Sequence, residues 1–174
     1  MQTVPTCDEC GSHDVRRDHI YGALIEECGL CGHLQGAAED VERVTEIREA
    51  ESLGVAPELI GLMRTLEGIP GVAVERRLST VAGHSEPPAV YVALTRHPLE
   101  LLDRLARTLL LASRRTSTLW MLEATHQGRL LFVIRPRNAP PAGPAAVRAL
   151  TSDLGLLRDA LRRDLKLAWW EIDG

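Results

Sequence analysis

The sequence predicts an α+β protein in two parts: a small N-terminal β-hairpin, then a two-layer domain whose helices cover a mainly antiparallel sheet in the order αββαββα. Three observations predict it. All four cysteines lie in the first 31 of 174 residues as two Cys-x-x-Cys pairs. Segments with alternating apolar residues come in two pairs, and segments with apolar residues three and four apart precede, separate and follow them. With 45% hydrophobic and 25% charged residues, the chain has room for one ordinary domain and a small appendage. The expected boundaries are 1–36 for the hairpin unit, 37–56 for a helical linker and 57–174 for the larger domain.

Cys7 and Cys10 are followed by Gly11, and Cys28 and Cys31 by Gly32. Two residues between thiolates let both sulfurs face one point about 2.3 Å away, and the glycine permits the tight positive-φ turn. Between the pairs, "SHDVRRDHIYGALIEE" reads as two short strands around Tyr21-Gly22, which returns the second pair to the first. Residues 7–32 therefore resemble a zinc ribbon, with Cys7, Cys10, Cys28 and Cys31 as ligands of one structural Zn2+. Two disulfides fit a reducing compartment poorly, and a redox pair uses one Cys-x-x-Cys in a βαβ setting. Rubredoxin-like iron is usually shielded by aromatics, of which this segment has only Tyr21. His13, His19 and His33 lie nearby, but four thiolates already fill a tetrahedral shell and leave no position for water or substrate.

"AEDVERVTEIREAESLG" predicts a helix over 39–53, with acids in its first turn and Gly54 past its end. Pro57 opens a second helix with Leu59, Leu62, Met63 and Leu66 on one face and Gly68 and Pro70 as its stop. "VAVERRL" and "AVYVALT" alternate as half-buried strands. "PLELLDRLARTLLLASRR" is an amphipathic crossover long enough to join parallel neighbours. "STLWMLEAT" and "RLLFVIRP", joined by "HQG", are apolar on both alternations, as in central strands or strands covered by a partner subunit. Val147, Leu150, Leu154, Leu157, Leu161 and Leu165 mark a last helix.

Residues 79–88, "STVAGHSEPP", form the longest expected loop and place Ser79, Thr80, His84 and Glu86 together as weak catalytic candidates. The surrounding stretch, "LMRTLEGIPGVAVERRLSTVAGHSEPPAVYVAL" (residues 62–94), resembles in outline the helix, "PGV" turn, strand, serine-rich loop and strand of the wybutosine-synthesis methyltransferase family and of small bacterial look-alikes. That family is richer in serine where this chain has Ser79 to His84. The resemblance marks the loop as a candidate site.

Charge is uneven along the chain. Residues 1–95 carry 7 Arg against 16 Asp and Glu, a net of −9, and residues 96–174 carry 12 Arg and Lys166 against 8 acids, a net of +5. Residues 1–40 hold eight acids and two arginines, a balance opposed to phosphate binding by the hairpin unit. Arg114-Arg115, Arg135, Arg137 and Arg162-Arg163 are candidates for a basic patch, and Trp169-Trp170 for an interaction site. No apolar run approaches the roughly 18 residues of a membrane span, and the first residues lack a signal-peptide pattern, so the expected location is the cytoplasm. The expected function is non-catalytic, acting through protein–protein interaction with a partner protein or a second copy. The alternative is an RNA-binding or RNA-modification protein using the basic C-terminal half and the 79–88 loop.

Overall fold

The computed structural model describes residues 5–84 and 87–166. It has the expected α+β class, with two antiparallel sheets and five helices among the described residues. The chain divides into two compact units, residues 1–49 and 50–174.

In the first unit, β1 (Val15–Ile20) and β2 (Ala23–Cys28) pair antiparallel, and β3 (Leu34–Gln35) adds a short third strand to β2. Tyr21 and Gly22 make the turn with φ values of 49° and 78°, the positive-φ pair that matches the strands' twist in a two-residue hairpin. Helix α1 (Ala38–Leu53) begins at the predicted acids Glu39 and Asp40. Its Val41 and Val44 pack with Ile20, Ala23, Ile25 and Leu34 in a core of very few side chains. Arg48 donates both guanidinium nitrogens to the Glu27 carboxylate at 2.9 and 2.8 Å, bracing α1 against β2. That hydrogen-bonded pair holds the Glu27 carboxyl below its usual value. The division between units falls inside α1, where the sequence reading places a separate linker at 37–56.

The second unit runs α2 (Pro57–Glu67), β4 (Val72–Val74), α3 (Arg76–Gly83), β5 (Val90–Leu94), α4 (Pro98–Ala112), β6 (Trp120–His126), β7 (Leu130–Pro136) and α5 (Pro144–Lys166). Its sheet has the order β4-β5-β7-β6, with every neighbouring pair antiparallel. The register sets Val72 beside Leu94, Val74 beside Val92, Val90 beside Ile134 and Leu122 beside Ile134. These residues share one face, and they join α2, α4 and α5 in a single core that includes Leu62, Met63, Leu105, Leu157 and Trp120. Burial of each such side chain stabilises by about 1.5–3 kcal/mol. Helix α5 packs against both α2 and α4.

Four expectations are corrected. Residues 76–83 are helix α3, so the strand expected over 72–78 stops at Val74 and an extra helix enters the predicted order. Strands β5 and β6 are both antiparallel to β7 and hence parallel to one another, but β7 lies between them. The crossover therefore joins parallel strands that are not neighbours. Of the two doubly apolar strands, β7 is central and β6 is an edge. Val147, expected on the buried stripe of α5, is 46% exposed.

Candidate metal centre

The two cysteine turns have the same local construction. The Gly11 N–H donates to the Cys7 carbonyl at 2.9 Å, and the Gly32 N–H donates to the Cys28 carbonyl at 2.8 Å. Both glycines have φ near +70°, at 71° and 72°, where a Cβ is costly. The entry to each turn is closed in the same way, by Cys7 N–H to Ser12 O at 2.8 Å and Cys28 N–H to His33 O at 3.0 Å. Because the β1–β2 register sets Val15 opposite Cys28, the hairpin brings the two turns together. A further bond, Gly29 N–H to Asp14 O at 2.7 Å, ties the second turn to the strand entry.

Their four sulfurs lie within 4.8 Å of one another. Cys7 and Cys31 are 3.6 Å apart at Sγ, as are Cys10 and Cys28. A tetrahedron with 3.6 Å edges has its centre about 2.2 Å from each vertex, close to a metal–thiolate bond. All four cysteines are free, with Cys7 and Cys28 buried and Cys10 and Cys31 exposed. The donor set thus fits one tetrahedral metal ion. Among the described residues, this is the one group of His, Cys, Asp or Glu ligand atoms gathered so closely, and His13, His19 and His33 do not join it. His13 Nδ1 instead lies 3.3 Å from Thr6 Oγ1.

The bare cluster is electrostatically uneven. Backbone N–H donors of Cys31 and then Leu30 stabilise the Cys28 thiolate, lowering its pKa to about 6. At Cys31 the His33 N–H also favours the thiolate. The crowding of Cys10, burial and the other two sulfurs outweigh it and push the pKa up to about 12. Near neutral pH, Cys28 is therefore the sulfur already charged for a cation, and metal binding must displace the proton of Cys31.

The 79–88 candidates are not assembled as a catalytic group. Ser79 is fully buried inside α3; its hydroxyl donates to the Glu75 carbonyl at 3.0 Å and accepts the Tyr91 N–H at 2.9 Å. Strand β4 ends at Val74, and Ser79 supplies the acceptor that a longer strand would have offered β5. The exposed His84 caps α3, its Nδ1–H donating to the Thr80 carbonyl at 2.8 Å. Glu86, like Trp169 and Trp170, lies outside the described residues. The basic-patch candidates are partly engaged: Arg135 pairs with Glu123, Arg163 lies 3.6 Å from Asp164, and Arg162 donates to Thr65 Oγ1 at 3.2 Å.

No described helix is long and apolar enough to cross a membrane. Comparison of the chain with family models, curated proteins and solved structures finds no match, so the methyltransferase resemblance gains no support from them.

Proposed function

We propose that Cys7, Cys10, Cys28 and Cys31 hold a single zinc ion in a structural role, and that the protein acts non-catalytically, by presenting this unit to another protein. The observation that carries the reading is the closed shell: four sulfurs within 4.8 Å of one another occupy every tetrahedral position and leave none for water or substrate. Zinc is the metal whose preferences best suit four thiolates in a tetrahedron without redox chemistry.

The surface of the unit supports protein contact. Tyr21 in the hairpin turn, Leu24 on β2 and Leu30 in the second cysteine turn are 41%, 49% and 74% exposed, and exposed apolar side chains suit a protein interface. Its acids oppose phosphate, whose affinity comes from Lys and Arg. The RNA alternative is weakened in the larger unit by the carboxylates beside Arg107, Arg129, Arg135 and Arg163.

Elemental analysis of protein purified without added metal is expected to find about one zinc per chain. Cross-linking in lysate followed by mass spectrometry is expected to place a specific protein on the Leu24–Leu30 surface. Leu30→Asp should lose that cross-link with zinc content unchanged, and Cys28→Ser should lose both. Iron in place of zinc would overturn the metal assignment. Salt-sensitive retention of structured RNA, abolished by charge reversal at Arg135 and Arg137 and unaccompanied by a protein cross-link, would favour the alternative.

A further inference from the structure

We propose that the second unit forms a two-fold homodimer in which β6 pairs antiparallel with β6 of a second copy and the two α4 helices pack across the same axis. The proposal deepens the protein-contact reading above by naming one partner, and it stands on residues 98–126 alone.

The first observation is an open edge. Among the described residues β6 has one strand neighbour, β7, and their register is unbroken from Trp120 opposite Pro136 to His126 opposite Leu130. Natural edge strands are commonly protected by proline, lysine, a bulge or extreme shortness. Strand β6, "WMLEATH", has seven residues with no proline, lysine or bulge; Ser113 Oγ takes the Trp120 N–H at 2.9 Å and donates to the Trp120 carbonyl at 3.4 Å, so the open edge runs from Met121 to His126. Its one acid, Glu123, is paired to Arg135 of β7.

A second, independent observation lies on α4, which packs against β6 and α5. Leu101, Leu105, Thr108, Leu109 and Ala112 face the core. Leu111 and Ala112 line a groove with Leu156 and Ala160 of α5, which fixes the flank of α4 that looks toward α5. At 100° per residue the opposite flank carries Leu99, Leu102, Ala106 and Leu110, a stripe at spacings of three, four and four. Leu99 is 78% exposed and Leu110 58%. Apolar stripe and open strand edge thus belong to the same side of the unit.

Both features are complementary to themselves, which favours a second copy as occupant. Antiparallel pairing of two identical edges generates a two-fold axis, and an axis perpendicular to the sheet keeps both helix layers on one face and makes the two α4 helices antiparallel. With that axis passing between Arg104 and Leu105, Leu99 comes level with Leu110 of the second copy, and Asp103 comes within one residue, about 1.5 Å along the axis, of Arg107 of the second copy. Within one copy Asp103 and Arg107 pair at 2.9 Å and remain 59% and 75% exposed at their side chains, so both charges are available across the axis. Strand and helix together offer a strip roughly 23 Å long and roughly 20 Å deep, on the order of 1,000 Å² for the pair, the size at which specific interfaces begin.

Sedimentation equilibrium of the full chain, zinc-loaded, tests this at about 1–100 µM, which brackets weak specific association. The expected mass is twice 19.1 kDa at the upper end. Leu110→Glu should raise the dissociation constant at least about tenfold with the circular dichroism spectrum unchanged. Asp103→Arg and Arg107→Asp should each weaken association, and the two together should restore it. Amide exchange over Leu122–His126 should slow as concentration rises. A mass of 19.1 kDa throughout, or a dimer indifferent to Leu110→Glu, would overturn the proposal. So would a dimer that dissociates when a chelator strips the metal, because association would then belong to the first unit. A monomer that still captures another protein on the Leu24–Leu30 surface would overturn this proposal and leave the preceding reading standing.

Discussion

Asp153, on α5, is only 2% exposed. Its carboxylate accepts the backbone N–H and the hydroxyl of both Ser117 and Thr118, and the indole N–H of Trp120, at 2.7–3.2 Å. One side chain thereby fixes the connection from α4 to β6 and orients the largest residue of the core. Its partners lie 33 to 36 positions away, so no local pattern in the sequence could reveal them. The four-cysteine cluster was readable for the opposite reason: the sulfur spacing and the glycine after each pair are properties of adjacent residues. Asp153→Ala would leave buried donors without an acceptor, at about 3 kcal/mol. The melting temperature of the larger unit is then expected to fall by roughly 10 °C, read by circular dichroism. Asp159→Ala, on the same helix with a side chain 66% exposed, should shift stability by no more than about 0.5 kcal/mol.

Helix α3 marks where local reading gave way to packing. "VAVERRL" alternates well enough for a strand, but Glu75 N–H donates to Tyr91 O at 2.8 Å and the next residues turn into a helix. Ser79 then completes the bonding of β5 at Tyr91. Gly83 shows how closely α3 is seated. A Cβ there would come within 2.4 Å of Leu59 Cδ2 and 3.0 Å of Val55 Cγ1, and Leu59 is 1% exposed in the core. Gly83→Ala should cost about 1–3 kcal/mol through overpacking, and Ser79→Ala about 1–3 kcal/mol through the unpaired Tyr91 N–H. Both should speed amide exchange in residues 76–83 more than in α4 or α5. Equal acceleration in all three helices would show that α3 is not a separate element energetically. Strand order escaped the sequence as well, because the apolar content of β6 and β7 reports burial and says nothing of which strand is the edge.

The two units differ in what can stabilise them. The second has an extensive core shared by three helices and one sheet face, enough for a domain of its size to fold on apolar burial. The first has Ala23, Ile25 and Val44 fully buried, with Ile20, Leu34 and Val41 packed partly against them. A unit so small rarely folds on such a core alone, and its other fixed points, among them the two cysteine turns, the Arg17–Glu26 and Arg48–Glu27 pairs and the Arg43 bond to the Tyr21 carbonyl, are largely at the surface. The Arg48–Glu27 pair is more than a third exposed on both sides, where such pairs contribute about 1 kcal/mol or less. A metal held at the proposed four-cysteine site would therefore supply most of the stability of the first unit, since binding energy to a site that exists only when folded is folding energy. Stripping the metal with a chelator, or replacing Cys28 by Ser, should abolish the slow-exchanging amides of β1 and β2. The thermal transition of residues 50–174 should stay within about 2 °C of its original midpoint, a change of less than roughly 1 kcal/mol. The division of the chain inside α1 adds a sharper expectation. Residues 38–49, which pack on the hairpin, should lose protection with it, whereas Ala50, buried in the core of the second unit, should keep its own. Loss of protection throughout both units on metal removal would mean that the chain folds as one cooperative body, and the metal would then sustain the whole protein.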